Sequence, residues 1–254
     1  MKNKNWTREE LIVAFNLYCK TPFTKIGSSN KGIQELSKLT GRSVSAVALK
    51  LANFMRLDPA LQEREISGMK HGSKGEAEIW NEFNSRWEER AFESEKILAK
   101  YKGSSIENSA KILTYDIPKE GKEREAIVKV RVNQSFFRNT VLASYDNKCC
   151  ITGISIPELL VAGHIIPWSL DEKNRVNPSN GLCLNPFHDR AFDKGLITIT
   201  PDYEIKLSSK LLENLEKTKN DPFNLVEKKK MFLPQKFLPE KKFLEYHNQK
   251  IFQE

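Results

Sequence analysis

Only four cysteines occur in the 254 residues, Cys19, Cys149, Cys150 and Cys183. They show neither the paired spacing of a secreted disulfide framework nor a Cys-x-x-Cys knuckle, so a disulfide scaffold is excluded, a structural zinc ribbon is disfavoured and reduced thiols in a cytosolic compartment fit better. Long apolar runs are also missing. None approaches the roughly 18 residues of a membrane span, and the opening MKNKNWTREE lacks an apolar signal core. A cytoplasmic protein with no membrane partner is expected. Histidine is scarce too: of four in the chain, His164 and His188 fall within one short stretch.

Positive charge, by contrast, is in excess, with a net charge of +8. Residues 1–70 hold 12 basic against 6 acidic side chains, residues 71–202 hold 18 against 19, and residues 203–254 hold 11 against 8. A basic flank beside a near-neutral middle suggests a polyanion gripped mainly from the flanks.

Thr7 and Glu10 stand in capping-box spacing ahead of Leu11, Ala14, Phe15 and Tyr18, which predicts a helix over 7–20. After a Pro/Gly/Ser/Asn loop, Ile33, Leu36 and Leu39 mark a second short helix that stops at Gly41. Ser43 caps a third, with Val44, Val47, Leu51 and Phe54 at helical spacing before Asp58-Pro59. Two short helices around Thr40-Gly41-Arg42 have helix-turn-helix form. A recognition helix there would offer Arg42, Ser43, Ser45, Lys50 and Asn53 to a groove; the alternative is a small bundle that only packs.

Ile79, Trp80, Phe83, Trp87 and Leu98 predict one long helix over 76–101 whose aromatic stripe is core. Weak periodicity with Gly, Ser and Lys makes 102–125 the expected linker, in which Ile112 to Tyr115 has strand character. A helix over 134–145 then leads into a strand and turn at Lys148 to Gly153. The expected organisation is a helical domain over 1–101, the linker, and a second domain over 126–254.

Chemistry concentrates in Gly163-His164-Ile-Ile-Pro-Trp168, Asn177-Pro-Ser-Asn180-Gly-Leu-Cys-Leu and Asn185-Pro-Phe-His188-Asp-Arg-Ala-Phe-Asp193-Lys-Gly. His164 follows an apolar run and belongs on a hairpin strand, while Asn185-Pro186 starts a short helix carrying His188. Packed together, His164, Asn180 and His188 suit phosphodiester hydrolysis. An imidazole with an ordinary pKa near about 6.5 can take a proton from water, a cation is needed against the leaving oxygen, and an amide can hold the loop without adding charge. Alone, each has a bland reading: a core histidine, a left-handed turn before Gly181 and a helix-surface histidine. Cys150 and Cys183 read as small buried apolar residues. Arg175 and Arg190 flank the set and are candidates for gripping phosphate.

GHIIPW, NPSNGLCL and NPFHDRAFDKGL resemble the successive segments of the HNH endonuclease family. Arg131-Val-Asn-Gln-Ser-Phe-Phe137-Arg138, the run CCITG and the tail Phe243-Leu-Glu-Tyr-His247 resemble HNH proteins of restriction type. The resemblance is firm over 131–202. It implies an α+β protein with an N-terminal helix-turn-helix-like domain and a C-terminal ββα-metal nuclease unit with helical flanks, its core over 149–201. It further implies His164 as general base, Asn180 as the middle asparagine, His188 as metal ligand, one divalent ion, duplex DNA as substrate and a role in restriction or phage defence.

The chain departs from the pattern at Gly163, where many members carry a second metal ligand. Asp189 and Asp193 are the nearest replacements, with Asp193 preferred and its bland reading a helix-end aspartate. An oxygen-rich set favours Mg2+ or Mn2+, with Ni2+ and Zn2+ behind them. A palindromic double-strand cut needs two copies, so a homodimer is a further expectation. Two alternatives stand beside this reading: a DNA-binding regulator that has lost catalysis, for which Gly163 is the sign, and a nuclease of RNA or single strands, for which no aromatic platform outside the core stripes is visible.

Overall fold

The computed structural model describes residues 5–62, 72–215, 223 and 226–254. Helices α1 (Arg8–Lys20), α2 (Lys31–Thr40), α3 (Val44–Met55), α4 (Pro59–Gln62), α5 (Lys74–Ser85), α6 (Trp87–Lys102), α7 (Ile106–Ala110) and α8 (Lys122–Ser144) precede a hairpin of β1 (Val161–His164) and β2 (Gly181–Leu184). Then come α9 (Pro186–Asp193), a second hairpin of β3 (Ile197–Ile199) and β4 (Ile205–Leu207), α10 (Ser209–Leu215) and α11 (Lys241–Lys250). Helices and small antiparallel sheets segregated in this way make an α+β fold. No described helix is long and apolar enough to cross a membrane.

Helix α1 begins where its capping box dictates: Thr7 Oγ1 accepts from Glu10 N–H, and the Glu10 carboxylate accepts from Thr7 N–H at 2.7 Å. Gly41 closes α2 at φ 68°, a left-handed stop that costs glycine little, and Ser43 caps α3. The predicted single helix over 76–101 is two helices that meet at Arg86, whose φ −151° and ψ 63° lie outside the helical range. The apolar spacing runs through the break because Trp80, Phe83 and Trp87 all close on Phe15, at ring distances of 5.6, 4.6 and 6.3 Å.

Ile112 to Tyr115 forms no strand. Leu113 and Tyr115 are exposed, and Ile112 packs instead on a small cluster of Ala110, Ile117, Val128 and Val132. Within 102–125 lie α7 and the start of α8. The latter helix begins twelve residues before the predicted one, because its charged first turns bury Val128 and Val132 on that cluster. Lys148 to Gly153 is a turn rather than a strand, tied to β2 by Cys150 N–H donating to the Cys183 carbonyl at 2.7 Å.

The main apolar core is continuous from Leu11 to Leu244. A buried ammonium pins the two ends of the chain together: Lys236 is fully enclosed and donates to the carbonyls of Tyr18, Cys19 and Thr21 at the end of α1. Lys236→Met should leave those carbonyls unpaired at a cost of about 2–4 kcal/mol. The urea midpoint measures it, and an unchanged midpoint would contradict the latch.

Candidate active site

Three elements frame the site. In the β1–β2 hairpin His164 faces Gly181 across the ladder. A Cβ on Gly181 would run into Val141 and Phe137 of α8, so glycine is what lets that helix press against the hairpin. Phe137 consequently stacks under the His164 ring at 4.0 Å and 9°, and Trp168 meets the ring edge-on at 5.5 Å. Gly181→Ala should separate helix from hairpin, costing about 1–3 kcal/mol by overpacking, seen as a lower thermal midpoint and a changed His164 environment.

His164 Nε2–H donates to the Arg175 carbonyl at 2.8 Å. That bond selects the tautomer and leaves Nδ1 as the acceptor nitrogen, without a hydrogen-bond partner among the described residues. Burial lowers the His164 pKa from its ordinary value; the Arg175 carbonyl and the charge of Asp193 oppose the shift without cancelling it. Near neutrality the ring is therefore a free base.

Asn180 is completely buried and acts as a brace. Its Oδ1 accepts from Ile166 N–H at 2.8 Å, and its Nδ2 donates to the carbonyls of Ile166 at 3.1 Å and Asn174 at 3.3 Å. The amide thus clamps both arms of the loop between β1 and β2. Its hydrogen bonds are spent on backbone, so its contribution to the site is positional.

Helix α9 is capped by Asn185, whose Oδ1 accepts from His188 N–H at 2.9 Å and from His188 Nδ1–H at 3.0 Å. The His188 Nε2 is buried and has no hydrogen-bond partner among the described residues, a lone pair open to a ligand. Burial lowers the His188 pKa, which keeps that lone pair available.

Asp189, the next residue, comes closer to Gly163. A Cβ on Gly163 would collide with Asp189 Oδ1, so the absent side chain at 163 is the space that this carboxylate fills. Burial, and then the charge of Asp193 one helical turn on, push the Asp189 pKa up to about 6. Asp193 is exposed; burial raises its pKa too, while Arg190, His164 and Lys194 pull the other way. The sequence favoured Asp193 as the replacement ligand, whereas the carboxylate set against Gly163 is that of Asp189.

Among the described residues no three His, Cys, Asp or Glu groups already form a metal cage. The donor chemistry nevertheless fits a divalent ion. Two carboxylates repel each other on one helix face, no described cation bonds Asp189, and an unpaired imidazole nitrogen lies in the same helix turn.

The other residues singled out in the sequence lie elsewhere or are engaged. Lys50 is buried in an ion pair with Glu76, and Asn53 Nδ2 donates to the same carboxylate at 3.1 Å. Arg42 pairs with Glu10 at 2.7 Å and covers the Trp6 ring. Of the face read as a groove surface, Lys50 and Asn53 are thus buried and Arg42 half-buried while Ser43 and Ser45 stay exposed, because Glu10 and Glu76 supply charges that helical periodicity does not register. Arg175 is paired with Glu88 at 2.7 Å, while Arg190 is exposed beside the site.

His247, to which the sequence assigned no role, is buried on Phe192 at 3.7 Å. It bonds Thr198 Oγ1 at 2.7 Å and the Phe192 carbonyl at 3.1 Å, fastening α11 to the end of α9. His71 lies outside the described residues. Exposed aromatics, not visible as such in the sequence, include Phe187, Tyr115 and Phe232, and Phe187 adjoins His188.

No curated protein matches the chain. The family model described as HNH endonuclease matches residues 149–200, a span that contains both β1 and β2, the bracing Asn180 and all of α9, which supports a nuclease-type function in general. Residues 149–200 of this chain are an HNH endonuclease domain.

Proposed function

We propose that the chain is a metal-dependent endonuclease that hydrolyses phosphodiester bonds of duplex DNA, with His164 as its general base. The observation that carries this reading is the fixed tautomer of His164, with Nε2 spent on the Arg175 carbonyl, Nδ1 without a hydrogen-bond partner among the described residues, and the charge of Asp193 acting on the ring.

In the reaction Nδ1 takes a proton from water as its oxygen bonds to phosphorus and the bond from phosphorus to the 3′ oxygen breaks. The departing 3′ oxygen takes a proton from solvent water, so the products are a 5′ phosphate and a 3′ hydroxyl, and the imidazolium later returns its proton to solvent. The imidazolium that forms is favoured by the Arg175 carbonyl and by the charge of Asp193. Phe137 below and Trp168 at the edge keep the ring from turning.

Asp189 and His188 are the first residues we assign to a divalent ion, Asp193 the third, and an oxygen-rich set favours Mg2+ or Mn2+. The ion, when bound, supplies positive charge against the phosphate and the leaving oxygen. Arg190 lies where it can meet a phosphate beside α9. Restriction or phage defence is the biological setting we infer.

The test is cleavage of supercoiled plasmid with Mg2+, with Mn2+ and with EDTA, with a single-stranded DNA and an RNA of the same sequence in parallel. Metal-dependent nicking or linearisation of the plasmid is expected. Faster cutting of the single strands would move the substrate to the class that Phe187, exposed next to His188, is shaped to stack on. Tight DNA binding with no cutting in any metal would leave a binding protein that retains the fold.

A further inference from the structure

Arg175 touches the site with its backbone and the helical region with its side chain. Its carbonyl accepts from His164 Nε2–H, while its Nε donates to Glu88 Oε2 at 2.7 Å. Glu88 stands in the first turn of α6, 87 residues earlier in the chain, and also pairs with Lys129 of α8 at 3.1 Å. Burial alone would raise the Glu88 pKa, but the bonds from Arg175 and Lys129 outweigh it and hold the carboxyl below its ordinary value. The Arg175 guanidinium lies over Trp168 at 5.1 Å, and Trp168 in turn abuts the His164 ring. A single carboxylate of the helical region thereby restrains the loop residue whose carbonyl sets the tautomer of the base.

We propose that Glu88 is a positioning residue for the nuclease reaction: by clamping the Arg175 side chain it holds the Arg175 carbonyl on His164 and keeps Nδ1 the open nitrogen. This rests on His164 as the base. It makes the N-terminal helices part of the catalytic machinery instead of an appended binding module. It also gives Arg175 a role other than gripping phosphate, because its Nε is bonded to Glu88 and its Nη1 lies 3.9 Å from the exposed Glu172 carboxylate. Such partners of an active-site histidine act on rate through orientation, and their loss typically costs about 10- to 100-fold.

The test uses the full chain as wild type, Glu88→Ala, Glu88→Asp, Arg175→Ala and the Glu88→Ala/Arg175→Ala double variant. It measures kcat and KM on a duplex oligonucleotide and the ring-nitrogen spectrum of His164. The clamp predicts that each alanine variant loses about 10-fold in kcat at nearly unchanged KM. The double variant should be no slower than either single one, since both remove the same contact. Glu88→Asp should recover most of the rate, and the His164 spectrum should pass from one tautomer to a mixture in the alanine variants.

Unchanged kcat and an unchanged spectrum in Glu88→Ala would overturn the proposal. So would single losses that multiply in the double variant, or a Glu88→Ala protein with lowered KM, which would mean that Glu88 merely competes with phosphate for Arg175. Should Glu88→Ala not fold, Glu88→Gln, which keeps the size and removes the charge, is read by the same criteria. A wild type that cuts nothing would overturn the nuclease reading instead, and the His164 spectrum then decides the clamp on its own.

Discussion

His164→Ala is expected to lower kcat by about 10^2- to 10^4-fold, the range a positioned general base contributes, while DNA binding stays within a few-fold of wild type. As the proposed base the ring would act through Nδ1 alone, since its Nε2 is spent on the Arg175 carbonyl. Because the folded-state pKa is depressed by burial, the proton is bound more weakly than in a free histidine. The base is thus active above that lowered value and is lost as pH falls through it, so the acid limb of the wild-type profile should lie below about 6.5. Imidazole added to the alanine variant offers a sharper check than the loss itself. Partial rescue that rises with pH identifies a missing base, whereas a variant that binds DNA no better than an unfolded chain would point to lost structure. A variant as fast as wild type would remove His164 from the reaction.

The parts of the fold that sequence made legible are those written locally. Thr7 with Glu10, Gly41 after Leu39, and Ser43 before Val44 place three helices because a cap or a stop needs only residues within one turn. The proximity of His164, Asn180 and His188 was legible for a different reason: they stand in short ordered motifs, and the hairpin brings the first two together with α9 next to them, their roles being our proposal.

What escaped was written at long range. Lys50 reads as a solvent-facing lysine on α3 until Glu76, 26 residues later, is seen to neutralise it in the core. His247 has no motif around it, yet Thr198 and Phe192 make it a buried clasp. The break at Arg86 carries neither proline nor glycine, and the apolar stripe continues across it because both sides pack on Phe15. Gly163 looked like a ligand lost. It is the vacancy that Asp189 fills from a neighbouring element, and a vacancy has no letter in a sequence.

That replacement gives the second large effect. Asp189→Asn keeps the size of the side chain but removes the charge that would attract a divalent ion. Half-maximal cleavage should then require at least about 10-fold more Mg2+ or Mn2+, in line with the usual cost of disturbing a metal site. For the wild type the sign of the pH dependence follows from the shift. A carboxyl whose folded-state pKa is raised to about 6 holds its proton more tightly folded than unfolded, so the favourable term is complete below about 4 and is lost as pH rises through 6. In metal-free buffer at pH 7 the ionised group is therefore a liability, and Asp189→Asn should be the more stable protein, by about 1 kcal/mol once solvent screening of a half-buried group is allowed for.

If Asp189 holds the ion as proposed, divalent metal should reverse that order: competing with the proton for the carboxylate, it should raise the thermal midpoint of the wild type and leave the asparagine variant almost unmoved. The acid limb of cleavage should also shift to lower pH as metal concentration increases. An asparagine variant with unaltered metal requirement would hand the ligand role to Asp193 and His188. A variant that gains stability without metal and loses both metal stabilisation and cleavage would show that Gly163 and Asp189 together supply what a side chain at 163 would otherwise provide.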